Sequence, residues 1–440
     1  MDELNKKVND LNRMRYEYFL SNPTTSQDSF KRVLRLNTVQ LVEEIPINID
    51  SHLQNFIHGR ILNICVDYDP ICEDHLEKAL KLKEDSEICW LELGKCKWKK
   101  SDTVKAYDCF RTAYNIIKSK RTDSYDCLLY SKILGHLSAA LRSNLVRTSD
   151  KKLREAFIRE SVCLCEEAVN ISPDYGFGWY SLGNAYICRF FSSQNPAEND
   201  LDLAIDSYQK ALSIDSPPFI SADLHVNYST ALKYKQRYAE AIQNLHRALQ
   251  IEPHFIDPKQ RLQSITSFLL RLNEAILRKG KIPNKRFKEM ISLLSKKDLG
   301  VYSSNLVKID SNKESTKSNF STILAGENPD SVVCGKVLAI IPNEEQIPYT
   351  FVGADSDGNI IGITVYNCSP IFGFIIGDSF AIPEPKVIEI KDLKLEDKIV
   401  NCRMIRVMNP LRILKNGKKF GKENYAFANM QISVNDSTDL

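Results

Sequence analysis

The chain is 440 residues long, 43% hydrophobic and 26% charged, with 59 basic against 56 acidic side chains. This composition excludes an intrinsically disordered or collagen-like chain, and the length predicts at least two domains, since single cores seldom keep growing past about 250–300 residues. The polar stretch Met1 to Asn12 has no signal-peptide core, and no uninterrupted apolar run approaches the length of a membrane span, so no membrane partner is expected.

Residues 1–50 predict one or two helices. Val8, Leu11, Met14 and Phe19 are loosely periodic, Pro23 interrupts, and Phe30, Val33, Leu34 and Leu41 resume. With no repeat signature, this stretch is expected to be a divergent helical cap. Beyond it a repeat emerges. Trp90, Leu93 and Gly94 are followed by Ala106, Phe110 and Ala113; Trp179, Leu182, Gly183 and Tyr186 are followed by Ala204, Tyr208 and Ala211. These offsets match the tetratricopeptide pattern, a helix–turn–helix of about 34 residues. The glycines permit close backbone approach, the alanines let the second helix pack tightly, and the aromatics fill the holes, so Trp90 and Trp179 are expected in the core.

Phe56 and Gly59, with Cys72, Leu76 and Ala79, predict a degenerate first repeat. Leu128 to Leu141, with Ser161, Cys165 and Ala168, predicts another. The last clear repeat has His225 at the tryptophan position and keeps Tyr228, Ser229, Ala241, Leu245 and Ala248. About nine extra residues between Tyr186 and Ala204, including Ser192 to Pro196, should loop out, and Ser216-Pro217-Pro218 should end a helix. Leu262 to Leu277 reads as a closing helix, which places the solenoid over residues 51–280.

Residues 281–324 predict a basic helix and linker. Ten Lys or Arg stand against four Asp or Glu over 279–318, and Lys285 to Leu294 is the helical part. Then the period changes. Val332 to Ile341, Ile347 to Val352, Ile360 to Tyr366, Ser379 to Ile382, Val387 to Ile390 and Ile399 to Val407 read as strands, with hairpin turns at Asp357-Gly358 and Asn416-Gly417. A barrel of the oligonucleotide/oligosaccharide-binding (OB) type is the leading candidate for 325–425, with a sandwich left open by pattern alone, and 426–440 is expected to be a flexible tail. The fold class is therefore α+β and multidomain: an N-terminal α-helical tetratricopeptide (TPR) solenoid followed by a C-terminal OB-like β-barrel.

The search for chemistry predicts no enzyme, no cofactor and no metal site. There is no phosphate loop, dinucleotide fingerprint, nucleophile elbow or His-Glu-x-x-His pair. Cys163 and Cys165 point in different directions on a helix, and the twelve cysteines, many at helix-periodic positions such as Cys72 and Cys109, suit reduced thiols in cytosol or nucleus. A groove is more promising. Intervening positions of the first helices nominate Lys95, Lys99, Tyr180 and Asn184 as peptide contacts, and Arg142, beside small residues, suits a fork-like grip on a carboxylate. Asp223 and Asp257 suit a basic partner, although Asp223 equally suits a helix cap. In the barrel, Tyr349, Phe351, Tyr366, Phe372, Phe374 and Phe380 would serve a single-strand platform only if exposed. Twelve basic against fifteen acidic residues over 321–440, with one basic hairpin at Lys415, Lys418, Lys419 and Lys422, make nucleic-acid binding a weak expectation.

Specific stretches carry a resemblance. Trp98-Lys99-Lys100, Gly178-Trp179-Tyr180-Ser181-Leu182-Gly183-Asn184, Ser192 to Pro196, Asp223-Leu224-His225 and Gly377-Asp378-Ser379-Phe380-Ala381-Ile382-Pro383-Glu384-Pro385 look like the tetratricopeptide repeat protein 5 family, also called the stress-responsive activator of a coactivator acetyltransferase. The likeness spans roughly residues 52–415. It implies a non-enzymatic adaptor of nucleus and cytoplasm. One implied role is recognition of the N-terminal peptide of nascent tubulin at the ribosome, with an mRNA-decay adaptor then removing tubulin mRNA. The other is a nuclear scaffold for transcriptional coactivators, including a histone acetyltransferase, in the stress response. By local match, Arg142 resembles the residue that recognises the acidic peptide, Lys81 a nearby basic position, and Asp223 and Asp257 acidic positions used in partner assembly.

Overall fold

The structure is a computed structural model that describes residues 2–120, 126–145, 147–192, 197, 199–214, 220–303, 316–343 and 347–427. Most of the expected loop-out Ser192 to Pro196, the Ser216-Pro217-Pro218 stop, the middle of the linker and nearly all of the tail lie outside the described residues. The chain divides into two compact units at Lys259/Gln260.

The first unit is a stack of helical hairpins. It contains α1 (Asp2–Ser21), α2 (Gln27–Glu43), α3 (Ser51–Leu62), α4 (Pro70–Leu82), α5 (Glu87–Lys99), α6 (Thr103–Ser119), α7 (Cys127–Asn144), α8 (Lys151–Ile171), α9 (Gly176–Ser192), α10 (Asp200–Leu212), α11 (Ala222–Tyr234) and α12 (Tyr238–Ile251). Short polar side chains set the starts: Asp50, Asp69, Ser86, Asp102, Asp126, Asp150 and Ser221 each accept a backbone N–H of the helix they precede.

The small, large, small trios are fully buried in α6, α10 and α12, including Ala106, Phe110, Ala204, Tyr208, Ala241 and Leu245. Size matching is direct. A Cβ added to Gly183 would lie 2.5 Å from the Tyr208 ring, and one on Gly94 would overlap the Phe110 ring. The third hairpin solves the problem differently. Its large position is Cys165, and the space beside Gly135 is filled by Phe177 from the next hairpin.

The signature tryptophans depart from expectation. Trp90 and Trp179 are half-buried at the repeat junctions, not sealed in the core. Each donates its indole N–H to a carbonyl six residues earlier, Glu84 O at 2.8 Å and Pro173 O at 2.7 Å, stapling the turn that enters its helix. The core tryptophan is Trp98, 1% exposed. The edges of the long connection between α9 and α10 are clamped by Arg189, whose guanidinium holds the buried Asp200 through Nε at 3.1 Å and Nη2 at 2.5 Å.

The N-terminal cap is a hairpin that does more than cover one end. Val8, Leu11, Phe30 and Leu34 share one core with Ile61 and Leu76 of the first repeat. At its turn, however, Phe19 stacks edge-on with His254, 5.6 Å between ring centres, and His254 Nε2 lies 2.8 Å from Thr25 O. α1 also packs on α12. The cap therefore touches both the first and the last hairpin of the unit.

The second unit begins within α13 (Ile256–Leu277). The expected solenoid end at residue 280 is corrected here: most of this helix belongs with the barrel, because its apolar face, with Leu269 and Leu272 fully buried, places Leu272 beside Gly362. α14 (Asn284–Ser292) follows. The strands are β1 (Thr316–Lys317), β2 (Gly326–Glu327), β3 (Ser331–Ile341), β4 (Tyr349–Ala354), β5 (Ile360–Val365), β6 (Ser379–Pro383), β7 (Lys386–Leu395), β8 (Lys398–Val407), β9 (Leu414–Lys415) and β10 (Lys418–Lys419).

The main ladder runs β6-β3-β4-β5-β8-β7, antiparallel except β5 with β8. Pro383-Glu384-Pro385 joins β6 to β7 through a bend with Glu384 at φ 47°. One arm of this bent strand pairs with β3 and the other with β8, which closes a five-strand circuit. Phe320, Phe351, Ile363, Phe380 and Ile405 fill its interior. This is the OB-type barrel, and the sandwich alternative falls away.

Candidate functional site

The inner wall of the repeat unit is built from the first helices of successive hairpins, α3, α5, α7, α9 and α11. Arg142, in the last turn of α7, is half-buried, and its Nη1 donates to Ser138 Oγ at 2.6 Å and Ser161 Oγ at 3.2 Å. Ser138 is itself fixed, donating to Ser161 O at 2.9 Å and accepting from the buried Cys165 thiol. Among the described residues no carboxylate pairs with Arg142. A guanidinium held at one nitrogen, with its remaining N–H groups unspent, is prepared to receive a carboxylate without losing much rotamer freedom.

A second cationic group lines α5 and α7. Lys132 is half-buried with its ammonium 5.7 Å from the Tyr175 ring centre, and burial, then the charge of Lys95, lowers its pKa. Lys95 pairs with Glu92 at 3.2 Å. Burial opposes ionisation of Glu92, yet Lys95 and Asn63 hold its pKa below the usual value. One turn along α7, His136 lies between Phe110 and Phe177; burial, then Lys95 and Lys132, push its pKa well down, leaving a neutral imidazole.

Three of the expected contacts do not present themselves to a ligand, and a fourth, Lys81, lies on another hairpin. Lys99 is half-buried and donates to Asn63 O, to Asn63 Oδ1 at 3.0 Å and to Cys65 O at 2.8 Å, so it staples the carbonyl end of α3, where positive charge is favoured. Burial, then the charge of Arg15, lowers its pKa to about 7. Tyr180 is 8% exposed and packs on Phe177 and Tyr208. Asn184 accepts from Tyr208 Oη at 2.7 Å and Asn227 Nδ2 at 3.0 Å, tying neighbouring hairpins together. Lys81 is exposed in the last turn of α4, a second helix, two hairpins before the one that carries Arg142. The structure does not bring Lys81 and Arg142 into one site.

At the far end the wall turns acidic. Ser221, not Asp223, caps α11, accepting from Leu224 N at 3.1 Å, and Asp223 is buried in the first turn. Glu252, which sequence reasoning missed, has its pKa pushed up to about 7 by burial and then by Asp223, against the opposing charges of Arg15 and His254. Asp257 is half-buried in the first turn of α13. Lys132 and His136 were findable, since they sit four apart on one face of α7. Glu252 was not, because its neighbours come from α1 and α11.

In the barrel Phe351, Tyr366, Phe372, Phe374 and Phe380 are buried and Tyr349 is half-buried, so these six offer no exposed stacking face. Lys415 is committed to Asp378 at 3.0 Å and Gly373 O at 3.0 Å, while Lys418 and Lys419 are exposed. Among the described residues no group of three or more His, Cys, Asp or Glu side chains is gathered to hold a metal ion, and no helix is long and apolar enough to cross a membrane.

Residues 314–429 match the family model described as the tetratricopeptide repeat protein 5 OB fold domain. Tetratricopeptide repeat protein 5 of Homo sapiens is 33% identical over 395 residues, covering 89% of this chain and 86% of its own length; that of Bos taurus is 32% identical over the same shares. Among solved structures, a thermophilic TPR protein in Thermus thermophilus is similar at 17% identity and TM-score 0.39, covering 49% of this chain and 98% of its own. With a relative above 30% identity matched over most of both lengths, and that family's OB fold domain model matched at 314–429, the chain belongs to the tetratricopeptide repeat protein 5 family.

Proposed function

We propose that this chain is a non-enzymatic adaptor of cytoplasm and nucleus that recognises the N-terminal peptide of nascent tubulin at the ribosome and, with an mRNA-decay adaptor, promotes tubulin mRNA decay. Arg142 carries this reading: it is half-buried, held by Ser138 and Ser161, and has no internal carboxylate among the described residues. Family membership supports it. Truncating one partner of a buried charge pair costs about 2–5 kcal/mol. Titration of a labelled tubulin N-terminal peptide should therefore show at least about tenfold weaker binding to Arg142→Glu than to wild type, and equal affinities would remove Arg142 from the site.

One barrel feature favours a second reading, a nuclear scaffold for transcriptional coactivators including a histone acetyltransferase. Ile371, Ile375 and Ile376 stand 49–68% exposed on one loop, whose Gly373 carbonyl accepts from Lys415 of β9. Capture of the purified acetyltransferase should be lost on Ile375→Asp. Undiminished capture would assign the contact elsewhere.

A further inference from the structure

The inner wall already has an occupant. Along α1, Asn5 Oδ1 accepts from Arg60 Nη1 of α3 at 3.3 Å. Ten residues on, Arg15 lies close enough to Lys99 of α5 and to Glu252 for its charge to act on both. Tyr16 lies beside the half-buried Tyr175, whose ring faces Lys132. Phe19 and Thr25 then reach His254. One helix thus runs from the first hairpin to the last, past the lysines of the wall and to its acidic end.

The two sides of α1 are attached unequally. Toward α2–α4 it is part of a continuous apolar core. Near the last hairpin a cavity of about 60 Å³ remains where Arg15, Tyr16 and Phe19 of α1 meet Phe30 of α2, Ala222 and Glu252. A void forfeits the contacts its lining would otherwise make, so this seam is the weaker one. Basic Arg15 and acidic Glu252 line that same cavity, so a peptide that brings its own cation can take the place of Arg15 there.

We propose that α1 is an internal competitor for the peptide groove, and that peptide enters as the turn end of α1 swings off the last hairpin while its other face stays on α2–α4. This rests on the peptide-binding reading above. The closed form withholds the groove, and apparent affinity falls by the fraction of molecules that are open.

The test uses the full chain. Tyr16→Ala, which leaves the apolar core with α2–α4 intact, is compared with wild type for binding of labelled tubulin N-terminal peptide. In parallel, amide hydrogen exchange of residues 14–25 in wild type is followed with and without peptide. The expected result is about tenfold tighter binding by the variant, the factor for an open form near a tenth of the population, and faster exchange in 14–25 when peptide binds. If the variant does not fold, the exchange arm decides alone, and protection of 14–25 that is unchanged or increased by bound peptide overturns the proposal. Equal affinity with unchanged exchange overturns competition and leaves peptide binding intact. Absence of binding to both proteins overturns peptide recognition and competition together.

Discussion

One indole N–H apiece separates Trp90 and Trp179 from Trp98. The first two staple turns at half-exposed junctions, while Trp98 fills the core. Trp179→Phe keeps a smaller aromatic ring at this half-exposed site and loses one hydrogen bond, so it should cost about 1 kcal/mol in urea unfolding, whereas Trp98→Ala should cost about 3–5 kcal/mol. A reversed order would contradict this assignment. Glu252 makes a pH prediction. Its folded pKa of about 7 lies above the ordinary carboxylate value of 4.5, so its contribution is fully present below about 4.5 and is lost as pH rises through about 7. Glu252→Gln should therefore raise stability on the order of 2 kcal/mol at pH 8 and leave it unchanged at pH 4.5, read by thermal melts; the same offset at both pH values would rule out titration of Glu252 as the cause. Side-chain size was legible in the sequence, as Gly183 against Tyr208 shows. Polar partnership was not: Lys99 meets the end of α3, and Glu252 meets α1 and α11, through contacts that no local spacing encodes.

At the level of elements, period and punctuation located the helices and the six long strands to within a few residues. What they did not reveal is how β6 and β7 cooperate. The sequence pattern gives two separate strands on either side of Pro383 and Pro385, whereas the chain bends there and closes the barrel by pairing one arm with β3 and the other with β8. The apolar face of α13 was equally plain, but periodicity says that a face is buried and not against what. The hairpin turn tests the barrel: Gly417 has φ 77°, and an added Cβ would overlap the Lys297 carbonyl. Gly417→Ala should destabilise the barrel unit by about 1–3 kcal/mol. All three tryptophans lie in the repeat unit, so the transition followed by their fluorescence should not move, while the β signal in circular dichroism melts earlier. A fluorescence transition displaced by the same amount would disprove this separation.

For the whole molecule, the change from helical to strand period announced two architectures, and the structure divides them at Lys259/Gln260. The cap that bridges the first and last hairpins has a consequence for how the repeat unit assembles. Repeat stacks are quasi-one-dimensional: each module leans on its neighbours, and unravelling starts at whichever end is weakest. Here Thr25 and His254, 229 positions apart, are hydrogen-bonded. That link ties the two ends into a circuit, at an entropic cost that grows only as the logarithm of loop length. Folding then waits on a contact of very high sequence separation and should be slow for an all-helical unit. In return, fraying at either end must first break the bridge, so the tryptophan signal should show one sharp urea transition in wild type and a broadened one in Phe19→Ala.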